Sequence, residues 1–180
     1  MTAQRKNIFI FNENSFDIVS VSNSFGVKPT DFGITPQYIE TGCWDGYWNE
    51  YGLQDKQLVF KNMYVNSSKN KYPQIAGKRP LRFYRQDGYH KYENLDIELN
   101  YSGQILIADN FLWEYRYDLY CTEPWEYEVL TKLTFKNGIL TDVVDCNEIA
   151  LQTRRLLVDN PEERHMLFRY EFLEKLYDSG

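Results

Sequence analysis

The sequence predicts a mainly β, α+β fold: an antiparallel meander forming a strongly bent sheet or partly closed barrel, with one or two C-terminal helices packed on it. Three observations carry this expectation. Apolar and polar residues alternate with period two through much of 95–145. Asn137-Gly138 separates two of these runs, and a type I′ hairpin turn needs positive φ at both central residues. Beyond Cys146 the apolar spacing changes to that of helices.

The elements follow in order. Ile8 to Phe11 and Asp17 to Ser22 read as short strands, and Gly26, Pro29, Gly33 and Pro36 break the chain into a loop. From Tyr38 the pattern is extended, with Trp44, Gly46 and Trp48 on one face and Cys43, Asp45, Tyr47 and Tyr51 on the other. Gly46 between two tryptophans implies that a neighbouring ring or backbone closes over it. Gln57 to Val65 reads as a strand covered on both faces, with Leu58 and Phe60 on one side and Val59, Met63 and Val65 on the other. Residues 66–91 carry seven Lys or Arg against Asp87 and are broken by proline and glycine, so they predict a long basic loop with a short strand near Leu81 to Tyr84.

Leu95 to Tyr101 alternates, Ser102-Gly103 predicts a tight turn, and Gln104 to Ala108 returns. Phe111, Trp113, Tyr115, Tyr117 and Leu119 alternate with polar partners, which favours a strand. Tyr127 to Lys136 and Ile139 to Asp145 flank the Asn137-Gly138 turn. Asn147 can cap a helix to about Val158, and Asn160-Pro161-Glu162-Glu163 reads as the start of another. Met166, Tyr170, Leu173 and Tyr177 would stripe that last helix, with Phe168, Phe172 and Leu176 beside them.

A chain of 180 residues suits a single domain, 1–180, with a core that needs no metal or disulfide staple. Mean hydropathy is −0.58, and no apolar run approaches the ~18 residues of a spanning helix, so no membrane role is expected. Arg5-Lys6 precedes an apolar patch too short for a signal peptide. Cys43, Cys121 and Cys146 are an odd set without regular spacing. A cytoplasmic, reduced protein with buried cysteines is the expectation.

Trp44-x-Gly46-Tyr47, the Leu58-Val59-Phe60 strand, Tyr101-Ser102-Gly103 and Asn137-Gly138 together resemble a family of small uncharacterised bacterial proteins with a W-x-G-Y strand motif. The likeness spans Thr41 to Leu140. This chain departs from that pattern at Asp45, where a basic residue is usual, and around Arg116–Asp118, where histidine is common. The resemblance implies a bacterial cytosolic protein and supplies no activity. Gly42-x-Trp44 on an early strand, with a meander and a terminal helix, is similar to calycin-type barrels such as lipocalins. That likeness implies a small-ligand cavity reached by Trp44 or Trp48.

Chemistry is sparse in the sequence. His90 and His165 are the only histidines, no Cys or His pair has zinc spacing, and no acidic run has calcium-loop spacing. No cofactor or metal is therefore expected. No phosphate loop or nucleophile elbow is present. An enzyme would need Cys121, His90 or a carboxylate pair to converge in one cleft. The basic stretch around Arg82 and Arg85 interleaves cations with aromatics, as single-strand nucleic-acid sites do, but the net charge of −6 disfavours a polyanion. Arg and aromatic side chains are also what protein interfaces use as anchors. Glu114, Asp118, Glu123, Glu126 and Glu128 surround Trp113, Tyr115, Tyr117 and Trp125, an acidic aromatic surface suited to a basic protein such as a toxin.

The leading expectation is thus a non-enzymatic protein-interaction module, in its most concrete form a bacterial immunity-type protein; the alternative is a calycin-like small-ligand binder. The binding residues expected are Asp45, Tyr47 and Asn49, Trp113, Tyr115 and Tyr117, and Arg82 and Arg85.

Overall fold

The computed structural model describes the backbone of residues 4–38, 40–83, 88–116, 122–159 and 166–178, and their side chains except those of 158, 159, 166–168 and 178. Ten strands are described: β1 (Ile8–Phe11), β2 (Asn14–Val21), β3 (Tyr47–Gln54), β4 (Gln57–Val65), β5 (Leu81–Arg82), β6 (His90–Tyr92), β7 (Ile97–Glu98), β8 (Gly103–Phe111), β9 (Tyr127–Lys136) and β10 (Ile139–Asp145). Helices α1 (Asn147–Asp159) and α2 (Met166–Asp178) follow.

The sheet runs β10-β9-β8-β2-β1-β3-β4-β6-β5, and β10 also meets β4, so seven strands form a ring. The closure is short. Ile139 pairs with Gln57, the Leu58 amide donates to Gly138 O at 2.8 Å, and the Leu140 amide donates to Lys56 O at 2.9 Å. Asn137 (φ 50°) and Gly138 (φ 83°) turn the β9–β10 hairpin as the sequence predicts. All pairs are antiparallel except β1 with β3, which are parallel.

The ring is bent by bulges, each of which resets the alternation of faces. Glu50 pairs with Asn62 while Tyr51 pairs with Phe60, leaving Lys61 as the extra residue of β4. Leu58, Phe60, Met63 and Val65 therefore all join the interior, which corrects the expected split of Leu58 and Phe60 from Met63 and Val65. In β2, Ile18 pairs with Ile107 and Ser20 with Leu106, so Val19 is the extra residue. Val19 joins the apolar layer beneath the helices, and the neighbouring Ser20 hydroxyl meets the Tyr177 hydroxyl at 2.8 Å.

Three further expectations are corrected. Residues 44–46 form a turn, and β3 starts only at Tyr47. Leu95 to Tyr101 is not a full strand: only Ile97–Glu98 is extended, and it pairs with β4 rather than β8, so Ser102-Gly103 closes no hairpin. Positive φ at Asn94 and Asp96 prevents a continuous pleat there. After Phe111 the chain leaves the sheet, and Trp113–Tyr115 forms one 3-10 turn instead of a strand. Asn110 (φ 56°) turns it out, and the Leu112 amide donates to Glu126 O at 2.8 Å. Leu119, Cys121, Tyr84 and the Asn160-Pro161 helix start lie outside the described residues.

Side chains fill the ring. Phe9, Tyr51, Phe60, Met63, Ile105, Ile107, Leu133 and Phe135 are buried in one cluster. The outer faces of the strands carry two covers. Helices α1 and α2 lie over β8 and β9, burying Leu106, Ala108, Leu130, Ala150, Leu157, Phe172 and Leu176. Phe172 and Leu176 form the buried stripe of α2, whereas Tyr170, expected on the apolar stripe, is 70 % exposed. Lys132, on β9 beneath α2, is buried and donates from Nζ to Leu176 O at 2.6 Å, placing a cation at that helix's C-terminal end. The second cover lies over β3 and β4, where Trp48 and Tyr64 stack at 4.6 Å under Phe83 and Tyr89. Among the described residues no helix is long and apolar enough to cross a membrane.

Candidate functional site: an aromatic groove between the two covers

The helices shield β8 and β9, and the Trp48 cluster shields β3 and β4. Between them the outer side of β1 and β2 opens into a groove of about 370 Å3, lined by Gln4, Arg5, Lys6, Ile8, Asp17, Trp48, Phe111, Trp113, Arg116, Thr122 and Tyr127. Ile8 and Asp17 are cross-strand partners and form its floor.

One wall is the segment before β1. The Gln4 side chain donates to Thr41 O at 2.8 Å and accepts from the Trp44 amide at 3.0 Å, and the Arg5 amide donates to Gly42 O at 2.7 Å. The 40–44 turn thereby holds the segment in place. The Arg5 guanidinium lies 4.1 Å from the Trp48 ring centre and pairs with Glu40 at 3.4 Å. Asn7 accepts the Asn49 amide through Oδ1 at 2.9 Å and the Ile18 amide through its carbonyl at 2.9 Å, tying the wall to β3 and β2.

The opposite wall is aromatic. The Phe111 ring makes T-shaped contacts with Trp113 at 5.0 Å and Tyr127 at 5.2 Å. The Arg116 guanidinium lies 5.2 Å from the Trp113 ring. Trp113 is nevertheless 69 % exposed. The Tyr127 hydroxyl donates to Asp17 Oδ2 at 2.8 Å. Burial, opposed by the Thr122 hydroxyl and reinforced by Asp17, pushes this phenol well above its usual range. Tyr127 therefore stays a donor, and Asp17 has one oxygen committed to it.

Of the expected binding residues, Trp113 reaches this groove and Tyr115 lies behind it, half-buried, with the Arg154 guanidinium 5.7 Å from its ring. Arg154 is itself buried and donates to Trp125 O at 2.8 Å and Tyr127 O at 2.7 Å, pinning the base of the wall. Asp45, Tyr47 and Asn49 do not share an open face. Asp45 is exposed on the turn, while Tyr47 packs against the interior cluster. Asn49 is buried and donates from Nδ2 to Val27 O at 2.7 Å and Tyr51 Oη at 2.9 Å. Arg82 is exposed on β5, at the end of the sheet order. Tyr117 and Arg85 lie outside the described residues.

The acids around Trp113 divide. Glu114 and Glu128 are exposed. Glu126 is fully buried, accepting the Glu123 amide at 3.0 Å, and Glu123 pairs with Arg169 at 3.2 Å. Asp118 lies outside the described residues.

Sequence reasoning missed Arg5, Lys6, Arg116 and Asp17 as groove residues. The visible signal was the Arg5-Lys6 pair, which has a second meaning once the first strand is seen to carry it to the rim of an aromatic surface. Burial pushes the Cys43 and Cys146 thiols up, as expected of cysteines acting as small apolar groups. His90 sits 3.8 Å from the Tyr72 ring and is held down by burial and then by Arg82. Among the described residues no group of three or more His, Cys, Asp or Glu is arranged to hold a metal. The chain matches no family model, and no significant similarity to a curated protein or to a solved structure is found.

Proposed function

We propose that this chain is a non-enzymatic protein-interaction module whose contact surface is the groove rimmed by Trp113. The observation that carries the reading is the exposure of Trp113: a large ring held by Phe111 and Arg116 yet left 69 % open. Exposed, pre-positioned Trp and Arg side chains are the residue types that dominate interface energetics, because they bury much surface while losing little conformational freedom. An immunity-type protein is one form of this reading, supported by the net charge of −6 and by the exposed Glu114 and Glu128. The calycin-like alternative needs space inside the ring, where Phe9, Tyr51, Phe60 and Met63 pack together instead.

The test is photo-crosslinking. A benzoylphenylalanine in place of Trp113, in cells that make the protein, is expected to give one discrete adduct on irradiation. The same group at Val143, exposed on β10, is expected to give none. Equal, diffuse labelling at both positions would remove the proposal.

A further inference from the structure

We infer that one end of the molecule docks peripherally on an anionic lipid bilayer, with Lys69, Lys71, Lys78 and Arg79 against the headgroups and Tyr38, Trp44 and Leu81 at the interface. This goes beyond the protein-interaction reading, and none of these residues lines the groove.

The surface is assembled around the pairing of Val65 with His90, where β4 meets β6. The Gln37 amide donates to Asn66 O at 3.0 Å and the Ser68 amide to Thr35 O at 3.0 Å, which sets the 67–70 turn beside the segment carrying Tyr38. The Asn66 amide donates to Gly46 O at 3.0 Å, bringing in the turn that carries Trp44. The Tyr72 ring lies 3.8 Å from that of His90, and the Tyr92 hydroxyl donates to Pro73 O at 2.7 Å. Ile75 and Lys78 exchange amide hydrogen bonds of 3.1 and 2.8 Å around a tight turn at Ala76 and Gly77. Leu81 pairs with Lys91 on β6. Three turns and the β5 edge are thereby held at one end of the ring.

Charge is concentrated there. From Lys56 to Gln86 the sequence holds eight Lys and Arg and no Asp or Glu. Lys69, Lys71, Lys78 and Arg79 are exposed, and none makes an ion pair or a hydrogen bond through its side chain with a described residue. Among the described acids of these segments, Glu40 is paired with Arg5 at 3.4 Å and Glu93 with Lys91 at 3.3 Å, and Asp31 accepts the Lys28 amide at 2.8 Å. That leaves Asp45 against four cations. The exposed Asp142 and Asp145 lie toward the other end, because β10 leaves its contact at Gln57 antiparallel to β4. From Gln57 to Val65 β4 spans about 25 Å, or roughly three Debye lengths at physiological salt. An anionic surface at the basic end is screened from those acids.

The apolar side chains favour lipid over other polyanions. Tyr38, Trp44 and Leu81 are 49, 55 and 57 % exposed. Tyr and Trp settle at headgroup level, and cations beside them add attraction to anionic lipid. Turns are convex, and a flat surface meets several at once. A nucleic-acid strand needs rings aligned for successive bases. The rings of the basic stretch are used internally instead: Tyr72 against His90, Phe83 and Tyr89 against Trp48, and Tyr92 in the core. A peripheral surface needs no spanning helix.

The experiment is flotation of the full-length chain with phosphatidylcholine vesicles, with and without about 30 % phosphatidylserine. Binding is expected only with phosphatidylserine and is expected to weaken as salt rises. Lys69→Gln with Lys71→Gln, and Lys78→Gln with Arg79→Gln, are each expected to lower partitioning about twentyfold, at about fivefold per cation. Lys136→Gln with Lys175→Gln, which removes the same charge from exposed positions on β9 and α2, is expected to change nothing. Tryptophan emission is expected to shift to the blue on binding, and Trp44→Phe to abolish most of that shift. Circular dichroism confirms that each variant is folded. No binding, equal binding to neutral vesicles, equal loss in the control pair, or stronger binding to single-stranded or duplex DNA at the same salt would each overturn the inference. Photo-crosslinking at position 113 is independent of all these results.

Discussion

At Gly46 the backbone has φ +72°, and a Cβ built there would lie 2.4 Å from Gln37 O and 2.5 Å from its carbonyl carbon. The neighbouring backbone, not a flexible side chain, occupies that space. Gly46→Ala is therefore expected to destabilise the fold by about 3 kcal/mol, from a left-handed conformation plus a clash that only main-chain movement can relieve. A denaturant titration measures it, and a loss under about 1 kcal/mol would mean that the Gln37 segment moves easily. Trp113→Ala should behave in the opposite way. Its ring is largely exposed, so a denaturant titration should show stability changed by less than about 1 kcal/mol, and a larger loss would mean that the ring supports the wall of the groove. At this scale the sequence was partly legible. A neighbour closing over Gly46 could be inferred from its place between two tryptophans, although the turn at 44–46 could not. Asp45, Tyr47 and Asn49 look alike in a period-two pattern; the turn exposes the first and turns the other two toward the core.

Among the elements, the β9–β10 hairpin has a role beyond pairing its own strands. Its turn residue Gly138 accepts the Leu58 amide, donates to Tyr101 O at 2.7 Å, and leaves a Cβ position 2.2 Å from Leu99 O. Three segments meet at one glycine, where the ring closes. Gly138→Ala is expected to open that seam before the rest of the sheet. Hydrogen exchange should then show lost protection at the Leu58 and Leu140 amides and retained protection along the β8–β9 ladder. Uniform loss across all strands would argue that the closure is inseparable from the global fold. The hairpin was legible because Asn-Gly is a local signal with a local cause. The bulges were not, because an extra residue in a strand is defined by its partner strand, which no local pattern names. The same reason explains 111–115. Aromatic alternation there reads as strand, but no partner strand takes up the described residues 112–116, and Trp113–Tyr115 folds into a 3-10 turn.

For the whole molecule, aromatic content sets an upper pH limit. Burial pushes the phenols of Tyr51 and Tyr92 up to about 12, and both residues are fully buried. In the unfolded chain a tyrosine ionises near pH ~10. The unfolded state thus loses its protons first as pH rises, so stability is full below about pH 10 and falls between about 10 and 12. Each tyrosine carries on the order of 2 kcal/mol of this dependence. Tyrosinate absorbance and circular dichroism recorded together should show a late fraction of the 15 tyrosines ionising only as the sheet unfolds; ionisation of all of them with the fold intact would contradict it.

What the sequence determined by itself was the class of fold: strands, hairpin turn and terminal helices follow from periodicity and turn chemistry, which act over a few residues. It also set the overall negative charge and the abundance of aromatics. The tertiary structure alone decided which faces stay open. Two covers built from distant segments, α1 and α2 on one side and the Trp48, Phe83 and Tyr89 cluster on the other, leave β1 and β2 uncovered between them. The groove joins Arg5 to Arg116 across more than a hundred residues of chain. The ring and its covers, rather than neighbouring residues in sequence, choose which side chains meet there.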